Sequence, residues 1–286
     1  MLSLSLGLTA ALLWAVHDLV ARKLSQGAAL LPIVLLVLVS GSVALMAPAL
    51  VWGDWTSLSV RTVLMACAAG LTFALAIGSL YRAFSMAPAR IVSPIIGAYP
   101  IISLALAVAQ GRTVTAADWV AVAAVVGGIS IVSLTTGDAE TPDMPRQSYL
   151  SAMAWACISA CGFAVTFAIG QEAARQASEL PTILITRLMA VVVIGALFLS
   201  TRSSLASLRG NWTVLAVMGA FDALALSLVT ASGSLPRAEY ASVSSSLFGV
   251  GTILLAWYFL NEKLLWMQWV GVAAVFGGIA TLSLQG

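Results

Sequence analysis

Residues Trp119–Leu134 read WVAVAAVVGGISIVSL, and residues Trp269–Leu284 read WVGVAAVFGGIATLSL. Eleven of the sixteen positions are identical at a constant offset of 150 residues, more than shared apolarity alone would produce. An internal repeat takes precedence over any other reading of a fold, so this pair sets the frame: the same apolar segment closes each half of a doubled chain. The glycine pairs inside it, Gly127–Gly128 and Gly277–Gly278, each follow Ala123 or Ala273 by four residues. That small-residue spacing lets two helices approach closely, and helix packing is the expected role of all four.

Outward from this pair the same character continues. The chain of 286 residues is 61% hydrophobic and 8% charged, with a mean hydropathy of +1.04. Soluble domains carry about 25% charged residues, and here the apolar residues are spread over the whole length. The reading is an all-α integral membrane protein. The net charge of +2 comes without a basic cluster, so no nucleic-acid partner is expected. No basic stretch precedes the first apolar run and no small-residue cleavage site follows it, so no cleaved leader is expected. Cys67, Cys157 and Cys161 lie in apolar segments and read as small packing residues rather than disulfides or metal ligands. No metal or cofactor is expected.

A spanning helix needs about 20 apolar residues. Runs of that size occur at 2–22, 30–52, 61–84, 89–110, 115–136, 149–171, 181–200, 211–234, 239–260 and 265–284. These ten transmembrane helices leave loops of a few residues. The longest polar interval, GDAETPDMPRQ from Gly137 to Gln147, separates a first unit at 1–136 from a second at 148–286. Pro32 and Pro181 follow the same helix–loop pattern in their halves. Five helices per copy is an odd number, so the second copy lies upside down relative to the first. Two inverted five-helix repeats around a midplane site are the architecture of secondary transporters.

These features resemble the drug/metabolite transporter superfamily in its ten-helix EamA-type form. Leu13-Trp14-Ala15 resembles the tryptophan of that family's first helix, and Pro181 followed by Arg187 its proline-to-arginine spacing in the seventh. FLNEKLLWMQWVG, Phe259–Gly271, resembles its acidic turn between the last two helices. The first half departs from the pattern: Gly111-Arg112 stands where Asn261-Glu262 stands in the second, and no arginine follows Pro32. The leading expectation is a secondary transporter of the cytoplasmic membrane that works as an exporter. The resemblance implies amino acids, related metabolites or toxic organic compounds as the substrate class, and an internal N-terminus. Loop charges point the other way. Arg61, Arg112, Arg175 and Arg237 share the N-terminal side, against Arg22, Lys23, Arg82, Arg90, Arg146, Arg202, Arg209 and Lys263 opposite. The expected orientation follows the family.

No HExxH, G-x-S-x-G or phosphate-binding loop is present, which argues against an enzyme. An ionisable side chain at membrane depth costs about 2.5–3.5 kcal/mol even on lenient scales, so such groups mark the candidate site. Asp222 lies near the middle of its span, on a stripe with Gly219, Leu226, Thr230 and Gly233. Arg187 lies roughly 5 Å from the centre of the preceding span. Two readings stand: a buried ion pair joining neighbouring helices, or Arg187 receiving an anionic substrate group while Asp222 takes an ammonium or a proton.

In the first helix, Trp14 and His17 share a face with Gly7 and Ala10, which reads as a cavity wall. Asp18 and Arg22 are spaced i,i+4 and read as a structural ion pair at the helix end. His17 is then left facing the cavity, as the one side chain whose ordinary pKa lies close to neutral pH. SPIIGAYP (Ser93–Pro100) and SVSSSLFGVG (Ser242–Gly251) carry irregular backbone, tolerated at membrane depth where it is buried in protein or lines a cavity. They bring Tyr99 and Tyr240 as substrate contacts, hinge or packing use being the alternative. The expected cavity is lined by helices 1, 3, 4, 6, 7, 8 and 9, with 5 and 10 supporting it from outside. Expected partners are a small-molecule substrate, the lipid bilayer and protons as coupling ion. A monomer suffices, and a dimer stays open. Uncoupled uniport, lipid-intermediate flipping and a non-transporting scaffold subunit are the alternatives.

Overall fold

The computed structural model describes residues 1–24, 30–87, 92, 95–134, 146–201, 204, 205, 208, 210–260 and 264–284. All regular elements among them are helical. They are α1 (Leu2–Leu24), α2 (Leu30–Trp52), α3 (Val60–Met86), α4 (Tyr99–Ala109), α5 (Ala116–Leu134) and α6 (Arg146–Gln176), followed by α7 (Glu179–Ser200), α8 (Trp212–Ala231), α9 (Glu239–Ser245), α10 (Phe248–Leu260) and α11 (Trp266–Ser283). Among the described residues, five stretches are long and apolar enough to cross a membrane: Leu30–Trp52, Val60–Ala83, Gln147–Gln176, Glu179–Ser200 and Trp212–Ser234. Shorter apolar helices occupy Leu2–Asp18, Tyr99–Ala109, Ala116–Val132 and Trp266–Leu282. Most of the interval read as a linker, Gly137–Gln147, lies outside the described residues, and α6 begins at Arg146.

Local chemistry sets the helix starts. Ser59 and Thr62 form a reciprocal capping box at α3. Pro32 and Pro181 each take the third position of their helix, in the first turn, where an amide has no intrahelical partner. Pro100 likewise falls in the first turn of α4. It therefore opens a helix and takes no intrahelical hydrogen bond from it. The interruptions lie beside it: a turn at Gly97–Ala98 ahead of α4, and Ser246–Leu247 between α9 and α10. At the 150-residue offset these two breaks are one position apart.

The packing carries the repeat further than the sequence does. α1 packs on α8, and α6 packs on α3; α2 packs on α8, and α7 on α3. α1 also runs along α9 and α10, as α6 runs along α4, while α2 pairs with α7 and α5 with α11. Each pairing between halves thus recurs with the halves exchanged. α5 and α11 pack chiefly on each other, at the edge of the bundle. A β-carbon on Gly128 would lie 2.5 Å from the Gly271 carbonyl, and one on Gly278 would lie 2.6 Å from the Ala121 carbonyl. Gly127 and Gly277 have no atom within 4 Å of such a carbon. Packing use of these two is corrected: a helix turns about 100° per residue, which carries each away from the seam its neighbour fills.

Large apolar side chains cover the outside, among them Leu12, Val43, Leu50, Leu64 and Val192. Trp52, Trp55, Trp119, Trp212, Trp266 and Trp269 are exposed near helix ends, as interfacial anchors are. Cys157 and Cys161 also face outward, contrary to their reading as packing residues, and Cys67 is half-buried.

Candidate functional site

The backbones of α2 and α8 touch because both carry glycine at the crossing. A β-carbon on Gly219 would lie 2.5 Å from the Val37 carbonyl, and one on Gly41 would lie 2.4 Å from the Gly219 carbonyl and 2.3 Å from Arg187 Nη2. The missing side chains leave room for the head of Arg187, which reaches in from α7 and is wholly buried. Arg187 Nη1 donates to Asp222 Oδ2 at 2.8 Å. Trp14 Nε1, from α1, donates to the other carboxylate oxygen at 3.0 Å. Pairing is the condition for charges at such depth, since an ion buried alone carries several kcal/mol of desolvation.

The guanidinium is not saturated. Its Nη2 stands 3.5 Å from the Val37 carbonyl, and its buried Nε has no partner among the described residues. His17 is buried on the same face of α1 as Gly7, Ala10 and Trp14. Its Nδ1 lies 3.0 Å from Asp18 Oδ1, while its buried Nε2 has no partner among the described residues. The separation of His17 from Asp18 is therefore corrected: the imidazole folds back onto the neighbouring carboxylate. The Arg22 side chain, and with it the expected Asp18–Arg22 pair, lies outside the described residues.

Aromatic rings enclose this centre. The Trp14 ring centroid is 6.0 Å from Phe167 and 6.3 Å from Phe248, and Tyr99 is 5.6 Å from Phe167. Phe163 stacks on Phe167 at 6.1 Å. The Tyr99 hydroxyl meets the Ser245 hydroxyl at 2.7 Å, beside the α9–α10 break, so it bridges the halves. Sequence reading passed over Phe163 and Phe167. Their signal is an i,i+4 aromatic pair on α6 beside the buried Ala160 and Ala164, a pattern that ordinary packing also produces.

Tyr240 belongs elsewhere, which corrects its pairing with Tyr99. Its hydroxyl donates to Asp118 Oδ1 at the start of α5, and the Arg237 guanidinium lies 4.8 Å over its ring. Arg237 also approaches Asp118 Oδ2 at 3.3 Å and donates to the Thr113 carbonyl at 2.6 Å. It holds a φ of +56°, rare outside glycine. Arg112 Nη1 donates to Glu239 Oε2 at 2.8 Å. Asp118 is fully buried and Glu239 nearly so. This second cluster was not foreseen; its one sequence signal was Arg112 standing where Glu262 stands in the other half.

With this geometry in place, known proteins offer three comparisons. A family model described as the EamA-like transporter family matches the chain twice, over residues 1–134 and 150–284. A solved structure, described only as a crystal structure of a protein, aligns over 99% of this chain and 96% of its own, with a TM-score of 0.82 and 17% identity. At that identity the likeness is one of fold. No curated protein matches significantly.

Proposed function

Because the chain belongs to the EamA-like transporter family, we propose that it is a secondary transporter of the cytoplasmic membrane that exports small organic metabolites, amino acids and related compounds foremost. Ten spans in two inverted copies alternate access to a central site. The pairing of helices with the halves exchanged supports that reading. So do the paired interruptions beside α4 and between α9 and α10, as broken helices line the midplane sites of transporters.

The observation that carries the proposal is the buried Arg187 Nε, a charged donor with no partner among the described residues. A guanidinium presents donors along two edges of a planar fork. Nη1 holds Asp222 and Nη2 stands 3.5 Å from the Val37 carbonyl, so Nε, without a partner among the described residues, is the donor offered to a carboxylate of the solute by a charge-assisted hydrogen bond. Asp222, held by Arg187 and Trp14, keeps the arginine in place. The shell of Trp14, Tyr99, Phe167 and Phe248 receives the apolar body of the solute. His17, with one ring nitrogen on Asp18 and the other without a partner among the described residues, is the proton carrier.

Compounds accumulating outside cells that overexpress the protein test this directly. Arg187→Ala and Asp222→Asn reduce each exported compound to the level of cells lacking the protein. Parental export from both variants overturns the site. For coupling, flux in reconstituted vesicles rises steeply with an imposed pH gradient, and His17→Ala flattens that dependence. Flux indifferent to the gradient in the parent protein removes proton coupling.

A further inference from the structure

At the end of the bundle that carries the N-terminus, a narrow cleft runs between α4, α6 and α9. Ser103, Gln110, Arg112, Gln171, Glu239 and Ser242 line it, together with three alanines of α4 and α6. The Ser103 side chain is buried, and its hydroxyl has no partner among the described residues. A polar lining with an unsatisfied hydroxyl is costly in a dry helix seam and cheap in a path that takes up water. Across the cleft lies the Arg112–Glu239 pair. Arg112 follows α4 in the first half, and Glu239 opens α9 in the second. Arg237 and Asp118 form a second bridge between the halves beside it.

We infer that this network is a gate: the cleft is one end of the solute pathway, and the ion pairs between the halves hold it shut in this conformation. The inference rests on the transport reading above and adds residues to it. Movement of one half against the other has to part Arg112 from Glu239 and Arg237 from Asp118. Arg187 and Asp222 lie in the same half and travel together. The latch is also of a strength that can be remade, since the Arg112 and Arg237 side chains are 24% and 21% exposed. Water meets the separated charges, which lowers the cost of parting them.

The test reads access to the cleft without any substrate. Ser103→Cys is introduced into protein whose Cys67, Cys157 and Cys161 are replaced by alanine, and the purified protein in detergent is treated with a charged, water-soluble thiol reagent. Breaking the latch with Glu239→Gln or Arg112→Gln raises the labelling rate by about tenfold or more, as a shift of population toward the open state requires. Arg112→Lys keeps the charge and stays near the parental rate. Rates agreeing within about twofold across all variants overturn the gate. So does a rise in Arg112→Lys as large as that in Arg112→Gln. Should Glu239→Gln not fold, Arg112→Gln with Arg112→Lys decides alone. Export unchanged in Arg187→Ala defeats the central site and leaves the labelling result standing, so the two proposals fail separately.

Discussion

Asp222 and Asp118 are both buried carboxylates that face an arginine and a ring donor, yet their surroundings differ. Asp222 finds its arginine 35 residues away in the same half, whereas Asp118 finds Arg237 119 residues away in the other. Around Asp222 the arginine keeps a donor in reserve. Around Asp118 the acceptors are filled by the Thr115 amide and hydroxyl, Tyr240 and Arg237. A pair held within one half and incompletely used suits a binding site. A pair between halves with its acceptors filled suits a latch. The repeat sharpens the contrast, because the counterpart of Asp118 is Gln268. That glutamine caps its helix the same way, accepting from the Leu265 amide at 2.7 Å, and its amide points to the Val132 carbonyl at 3.4 Å. A neutral residue stands there in place of a charged one, and its partners among the described residues are backbone groups.

The largest effect expected from breaking this comparison lies at Asp222. Asp222→Leu strands a buried guanidinium and costs about 3–5 kcal/mol of stability, read as a fall in the thermal unfolding midpoint in detergent. Adding Arg187→Met recovers most of that stability, because two apolar side chains replace the pair, but export stays absent. Export by the double variant would reduce the pair to a packing device. Next comes Asp118→Asn, which weakens charge-assisted bonds and lowers stability by about 1.5–3 kcal/mol, while export of substrate persists. Loss of all export with an unaltered unfolding midpoint would move Asp118 from latch to binding site.

A smaller cost attaches to the space around Arg187. Gly41→Ala pushes a methyl group against Arg187 and the α8 backbone and destabilises by about 1–3 kcal/mol. Gly127→Ala, which meets open space, stays within about 0.5 kcal/mol of the parent. Equal midpoints for the two would mean that the α2–α8 contact is looser than described.

The smallest effect sits outside both clusters, at Asp54 in the connection between α2 and α3. The Thr56 hydroxyl and amide donate to its exposed carboxylate at 2.6 and 3.0 Å and hold its pKa below the usual carboxylate range. A lowered folded value means that its contribution is complete above the unfolded pKa of about 4 and fades as pH falls through the folded value. Asp54→Asn thus lowers the unfolding midpoint slightly at pH 7 and leaves it unchanged at pH values below the folded pKa. A difference of the same size in acid would assign the effect to shape rather than charge.

Much of the central site was legible because charge is conspicuous in an apolar chain. Arg187 and Asp222 stand out at membrane depth, and helical spacing puts Trp14 and His17 on one buried face. The glycine crossing was half legible: Gly219 lay on the Asp222 stripe, but Gly41 is one small residue among many until its neighbours are known. The end network was not legible. Arg112, Asp118, Arg237 and Glu239 fall at segment ends, where solvated charges are ordinary, and their partners lie 119 to 127 residues away.

By itself the sequence determined that this is a doubled, helical membrane chain, because hydropathy and a 150-residue repeat are properties of order along one line. It also marked which charges could not be left unpaired, because their cost depends on depth in the span. The tertiary structure alone decided which groups meet. It sent Tyr99 to the centre and Tyr240 to the end, turned Gly128 into the seam and Gly127 out of it, and left Arg187 with a donor to spare. Those outcomes depend on the direction in which each helix presents a side chain to its neighbour, and helix phase is set only when the helices pack.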